Sequence, residues 1–212
     1  GRPFTTAGNK VVELRYEGKK VAEYTITVSE EQVKAKHPFT DVKSGAYYEN
    51  PVIWALNNGI TTGTSATTFA PNETCTRGQV VTFLWRANGS PEPTSDKNPF
   101  TDVKSTDYYY KAVLWAVEKG ITNGTSATAF SPNEKCTSGQ VVTFLWRSND
   151  KPQVSGTSSL AAQHSGKFYT DAVAWADSMG LLSGIAFDPN QNSPRADIVT
   201  YLYRNAGSPA IQ

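Results

Sequence analysis

The stretch Gly78–Arg86, GQVVTFLWR, stands again letter for letter at Gly139–Arg147, 61 residues later. Working outward from it, Phe39–Arg86 aligns with Phe100–Arg147 without a gap, and 34 of the 48 positions are identical. FTDVKS recurs at Phe39 and Phe100, and GIT at Gly59 and Gly120. A third, weaker copy follows, with Trp175 on Trp115, Gly180 on Gly120 and Gly184 on Gly124. A three-residue deletion then sets Phe187 on Phe130, Pro189 on Pro132 and Arg204 on Arg147. The third copy departs at its start: Leu160 stands where Phe39 and Phe100 stand, and Ala162 replaces Asp41 and Asp102. A fixed repeat decides the fold before any single motif does, because it defines the unit that must be stacked. Asn88–Pro99 and Ser148–Ser159 lie between the copies, rich in Pro, Ser, Gly and Asn as linkers are.

The unit reads as helix, loop, helix. Pro51 suits a first helical turn, and Val52, Ala55 and Leu56 follow at the spacing of one apolar face. Asn58-Gly59 is a helix stop. Ile60–Asn72 is then a loop rich in Thr, Gly and Ser, anchored by Phe69-Ala70-Pro71. Thr76 with Gln79, and Thr137 with Gln140, form capping boxes that open the second helix. Val80, Val81, Phe83, Leu84 and Trp85 cover a wide apolar arc, so that helix is expected to be buried. In the third copy Ser193 is the expected cap, with Pro194 in the first turn. One unit of this size cannot bury its own apolar faces, whereas three stacked units share a core. The simplest closure is about a pseudo-threefold axis, with the second helices near it and grooves between neighbouring units. A ligand is expected in those grooves.

The first 38 residues differ. Val11–Tyr16 and Val21–Val28 alternate and carry β-branched residues, with Glu17–Lys20 as the turn of a hairpin. An isolated hairpin is marginal in water. It reads either as the last strands of a preceding Ig-like β-sandwich domain or as a packed N-terminal arm, and Ser29–His37 as a polar connector, irregular or helical. The expected division is 1–38, then units at 39–92, 93–152 and 153–212.

Composition narrows the function. The chain has 212 residues, 20 basic and 19 acidic side chains and a net charge of +1. That balance is unlike a general nucleic-acid binder, which needs excess cations to neutralise phosphates. With 18% charged and 11% aromatic residues the chain is not of disordered composition. No apolar run approaches the roughly 18 residues that span a bilayer, and no signal peptide is present, so the Gly1 start suggests a processed or truncated chain. Two Cys and two His make neither a disulfide scaffold nor a good zinc set.

The motifs FTDVKSGAYY (Phe39–Tyr48), WALNNGITTG (Trp54–Gly63), FAPNE (Phe69–Glu73) and TRGQVVTFLWR (Thr76–Arg86) together resemble S-layer homology repeats. The likeness covers residues 39 to about 207, in three copies. It implies a mainly α fold: a pseudo-threefold, three-pronged spindle about a central helical bundle. It also implies non-covalent anchoring of a secreted protein to the Gram-positive cell wall. The implied partner is a secondary cell-wall polysaccharide, often with a pyruvate ketal, held in the grooves. The Arg of a Thr-Arg-x-Glu motif is the implied binding residue. A guanidinium takes a carboxylate bidentately, and a helix N-terminus favours an anion. Aromatic rings can pack on the apolar face of a sugar. The ligand-binding candidates are Arg77, Arg195, Asp41, Asp102, Tyr47, Tyr48, Tyr108, Gln79 and Gln140. This sequence departs from the motif, since Ser138 replaces the Arg in copy two and the Glu is Gln79, Gln140 and Asp197. Unequal grooves are therefore expected: those built on Arg77 and Arg195 competent for an acidic sugar, that on Ser138 weak or silent.

The five Trp residues sit at repeat-equivalent helical positions and read as core, with Tyr203 in the missing sixth place. Arg86, Arg147 and Arg204 close the second helices, where a cation complements the dipole, so a structural role is favoured over the alternative of ligand binding. Asp41 and Asp102 either brace a turn or reach the groove. Cys75 and Cys136 read as buried thiols, with a disulfide as the alternative. His37 and His164 pair with no repeated nucleophile, so neither an enzyme nor a cofactor is expected. Two functions remain: a wall-anchoring carbohydrate-binding module, monomeric and extracellular, or a module that binds protein or host glycan, or only assembles, without wall affinity.

Overall fold

The computed structural model describes residues 8–28, 37–155 and 158–211. The chain divides into two units, Gly1–Pro38 and Phe39–Gln212.

In the first unit, β1 (Gly8–Tyr16) pairs antiparallel with β2 (Lys19–Val28). The turn is Glu17-Gly18 alone, shorter than the four residues expected, and both take positive φ, 48° and 77°. That is the geometry a two-residue hairpin turn demands. Val12 faces Tyr24, Leu14 faces Ala22 and Lys10 faces Ile26 across the pair. Val12, Leu14, Tyr24 and Ile26 are exposed. Of the expected connector Ser29–His37, residues 29–36 lie outside the described residues.

The second unit carries α1 (Glu49–Asn57), α2 (Arg77–Ala87), α3 (Tyr110–Glu118), α4 (Ser138–Ser148), the one-turn α5 (Ser159–Ala162), α6 (Thr170–Ser178) and α7 (Arg195–Asn205). α1 buries Val52, Ile53 and Ala55, and Gly59 ends it in the left-handed region at φ 67°. Both capping boxes form. Gln79 Oε1 accepts from Thr76 N at 2.9 Å, and Thr76 Oγ1 from Gln79 N at 3.4 Å. Thr137 and Gln140 repeat this at 3.0 and 3.4 Å. α7 differs from expectation: its N-cap is Pro194, and Ser193 Oγ caps nothing. The reason is that the Ser193 backbone is tied to its neighbours. Cys75 N donates to Ser193 O at 3.2 Å, Cys136 N to Cys75 O at 3.0 Å and Ser193 N to Cys136 O at 2.9 Å. These three equivalent positions thus bond head to tail.

α2, α4 and α7 pack on one another, with Val81, Val142 and Val199 wholly buried. α3 packs on α2 and α6 on α4, each outer helix covering the inner helix of the preceding segment, and α1 of the first segment packs on α7 of the last. The loops between helices are braced by carboxylates. Asp41 accepts from Phe69 N at 2.9 Å and Ala70 N at 2.7 Å, and Asp102 from Phe130 N and Ser131 N at 2.9 and 2.8 Å. Ala70 and Ser131 hold left-handed φ of 58° and 57°, a strained state for non-glycine residues that the paired acceptors secure. Gly63 is required as glycine: at φ 87° a Cβ would lie 2.5 Å from both Phe39 Cε1 and the Thr68 carbonyl.

The linkers are stapled to the inner helices. Trp85 Nε1 donates to Pro91 O at 2.8 Å and Trp146 Nε1 to Pro152 O at 3.1 Å. Tyr203 OH donates to Pro209 O at 2.9 Å, so the phenol supplies the donor an indole supplies elsewhere. Trp115 and Trp175 are core, while Trp54, Trp85 and Trp146 are half-buried, Trp54 edge-on to Tyr203.

Candidate ligand grooves

Arg195 begins α7 but serves the loop of the first repeat. Its Nε donates to Phe69 O at 2.8 Å, and its guanidinium lies over the rings of Phe69 and Phe83 at 4.8 and 5.1 Å. Arg77 does the same one repeat on, donating to Phe130 O at 2.9 Å over Phe130 and Phe144. Both are buried, at 4% and 3% exposure. The cation in the first turn of a helix, unfavourable against the dipole, is answered by a carbonyl and two aromatic faces rather than by a carboxylate. Burial pushes the Arg77 guanidinium below its ordinary value.

Each Arg forms the floor of a groove. Arg195 lines one with Thr61, Thr62, Gly63, Gln79, Thr82, Arg86 and Tyr108. Arg77 lines its counterpart with Thr122, Asn123, Gly124, Gln140, Thr143, Arg147 and Phe168. Neither lining contains a carboxylate, and each contains two guanidiniums. The second of each pair, Arg86 or Arg147, is half-buried and donates to Ile60 O at 3.2 Å or Ile121 O at 3.0 Å. To the expected dipole complement the structure adds a carbonyl partner for each of these cations and a place in the groove lining. The threonines of the inner helices turn back on their own backbone, Thr82 Oγ1 to Gly78 O at 2.7 Å and Thr143 Oγ1 to Gly139 O at 2.6 Å.

The corresponding place in the third segment has different chemistry. Ser138 stands where Arg77 and Arg195 stand, and Asp197 where Gln79 and Gln140 stand. Asp197 Oδ1 accepts a hydrogen bond from Tyr47 OH. Burial raises the Asp197 carboxyl above its ordinary value, and burial first, then that bond, raise the Tyr47 phenol.

The candidate residues thus separate. Arg77, Arg195, Gln79, Gln140 and Tyr108 lie on the two grooves. Tyr108 is 61% exposed and edge-on to Tyr109. Asp41 and Asp102 hold loop backbone. Tyr47 engages the third segment, and half-buried Tyr48 packs against the core, edge-on to Tyr47. Sequence reading missed Phe168, Thr82 and Thr143 as groove residues. Phe168 was findable, because it occupies the place of Tyr108 one repeat on. Cys75 and Cys136 are free and fully buried. Among the described residues no group of His, Cys, Asp and Glu gathers as metal ligands, and no helix is long and apolar enough to cross a membrane.

Comparison with known proteins gives this arrangement its context. Residues 38–81 and 99–142 match the S-layer homology domain. The chain is 31% identical over 172 residues to an endoglucanase of Bacillus sp. (strain KSM-635), covering 74% of the chain and 17% of that protein. It is 27% identical over 184 residues to a cell surface protein of Thermoanaerobacter kivui, covering 84% and 22%. To the surface-layer 125 kDa protein of Lysinibacillus sphaericus it is 33% identical over 103 residues, covering 49% and 9%. The chain spans less than a quarter of the length of each of these relatives. Two of its segments are thus S-layer homology sequence, and the chain is extracellular, at the cell surface.

Proposed function

We propose that this chain is a non-catalytic anchoring module that holds a secreted protein to the Gram-positive cell wall through an acidic secondary cell-wall polysaccharide. The observation that carries this is the charge of the two grooves. Each sets a half-buried guanidinium beside a buried one, with threonines and an aromatic rim, and no carboxylate in the lining. A carboxylate on a neutral sugar, such as a pyruvate ketal, fits that chemistry: the cations take the acid and Tyr108 or Phe168 takes an apolar sugar face.

The third segment is read as a third, divergent repeat, with repeats at 39–92, 93–152 and 153–212. The head-to-tail bonds of Cys75, Cys136 and Ser193 and the cyclic order of helix contacts support closure about a pseudo-threefold axis, the three-pronged spindle. The hairpin is read as the end of an Ig-like domain, its exposed Val12, Leu14, Tyr24 and Ile26 being the face such a domain covers. As a module the chain works as a monomer.

Co-sedimentation with purified sacculi, before and after extraction of the secondary polymer, tests the function. Binding that disappears on extraction is the expected result. Binding indifferent to extraction favours a protein partner instead.

A further inference from the structure

Arg195 stands in the first turn of α7; beyond the last turn of that helix a cleft of about 360 Å³ opens against α1. Trp54, Asn57 and Asn58 line one side, and Pro209, Ala210 and Ile211 the other. Its volume falls within the range of small-ligand sites, about 300–1,000 Å³. The second wall is held in place by Tyr203, whose hydroxyl donates to Pro209 O at 2.9 Å. The same junction is built differently in the other segments. In the second, Glu118 accepts from Thr94 N at 2.8 Å and Lys111 pairs with Glu92 at 2.7 Å, which ties the linker to α3. In the third, Asp177 of α6 accepts from Ser158 Oγ at 2.7 Å. Trp115 and Trp175 are each 4% exposed there. In the first segment Asn57 and Asn58 replace Glu118 and Lys119, both are exposed, and Trp54 is only half-buried. The counterpart cleft beside Trp115 is lined by Lys119, Arg147 and Asp150, whereas the lining at Trp54 holds no charged side chain.

We propose that the cleft at Trp54 binds one neutral pyranose of the N-acetylhexosamine type. Indole surface beside two carboxamides suits such a sugar. The C–H face of the ring packs on the indole, and each amide offers both donor and acceptor to hydroxyl and acetamido groups. Asn58 Nδ2 donates to Trp54 O at 2.8 Å, which fixes that amide in the turn of the indole and leaves its Oδ1 to accept from a hydroxyl. Asn57 adds the second amide, and Pro209, Ala210 and Ile211 give the acetamido methyl an aliphatic wall. With neither cation nor carboxylate in the lining, nothing there favours an acidic sugar. The site therefore differs in kind from the two guanidinium grooves and stands whether or not an acidic polymer binds in them.

The test is an NMR titration of the whole chain with methyl N-acetyl-β-glucosaminide. It is read at the Trp54 indole N–H resonance, which Trp54→Phe assigns by removing it. A saturable shift at millimolar sugar is expected, with the same midpoint at low and high salt because the ligand is uncharged. The double variant Asn57→Glu with Asn58→Lys gives α1 the residues of α3. Both positions are exposed, so the fold is kept, and affinity should fall by about tenfold or more. Absence of a saturable shift in the wild type overturns the proposal. So does an equal shift with glycerol at the same concentration, or an affinity unchanged in the double variant.

Discussion

Arg195 donates its Nε hydrogen to the carbonyl of Phe69, 126 residues earlier in the chain, at 2.8 Å. A side chain on the last helix thereby fixes a loop of the first repeat, and the groove floor and the fold share one bond. Arg195→Ala is expected to destabilise the chain by about 2–3 kcal/mol, since a buried carbonyl loses its donor and two rings lose their cover. Arg77→Ala should match it. Lysine lacks the planar fork, so Arg195→Lys should recover only part of the loss. Urea unfolding of the three variants measures this, and an Ala variant within about 0.5 kcal/mol of wild type would contradict the role.

Asp41 and Asp102 each accept two backbone N–H groups at a left-handed residue. Asp41→Ala and Asp102→Ala are each expected to cost about 2 kcal/mol, and Asp→Asn somewhat less, because one carbonyl oxygen remains. Thermal denaturation checks the order. Local loosening should show as faster hydrogen exchange at Phe69 or Phe130.

Asp197 gives a pH signature. Burial holds its folded-state carboxyl above the unfolded value, so the protonated form is the better folded one. Its contribution to stability is therefore fully present at low pH and is lost as pH rises through the folded value. Asp197→Asn keeps an acceptor for Tyr47 and should be more stable than wild type at pH 7. The gap should close as pH falls below the ordinary carboxyl range. A gap that widens toward acid would reverse the assignment.

Burial pushes the Cys75 thiol up to about 11 and Cys136 up to about 12. The thiolate is the reactive form, so neither should react with a thiol reagent at pH 8 in the folded chain. Both should react on unfolding without reductant. A count of zero in denaturant would mean a disulfide.

How much of this could be read in the sequence depends on range. The paired helices of each repeat, the capping boxes at Thr76 and Thr137 and the buried Val81, Val142 and Val199 follow from local pattern, because capping and periodicity act over a few residues. The braces by Asp41 and Asp102 were one of two readings, and only the fold shows which loop backbone they meet, 28 and 29 residues away. Ser193 failed as a cap because its backbone answers to Cys75 and Cys136 in other segments, which no local rule contains. The groove candidates were found where they were repeated, as Arg77, Arg195 and Gln79 were. The dual nature of the arginines was not legible, because the sequence does not say which carbonyl and rings will surround them.

The most direct test of the central claim is calorimetric titration of the chain with a purified, acidic fragment of secondary cell-wall polysaccharide. The two guanidinium-lined grooves predict a stoichiometry of about two fragments per chain. Binding should weaken as salt rises, and Tyr108→Ala should lower affinity in one site while leaving thermal stability unchanged. Absence of binding, or equal binding of the fragment stripped of its acidic group, would contradict the account.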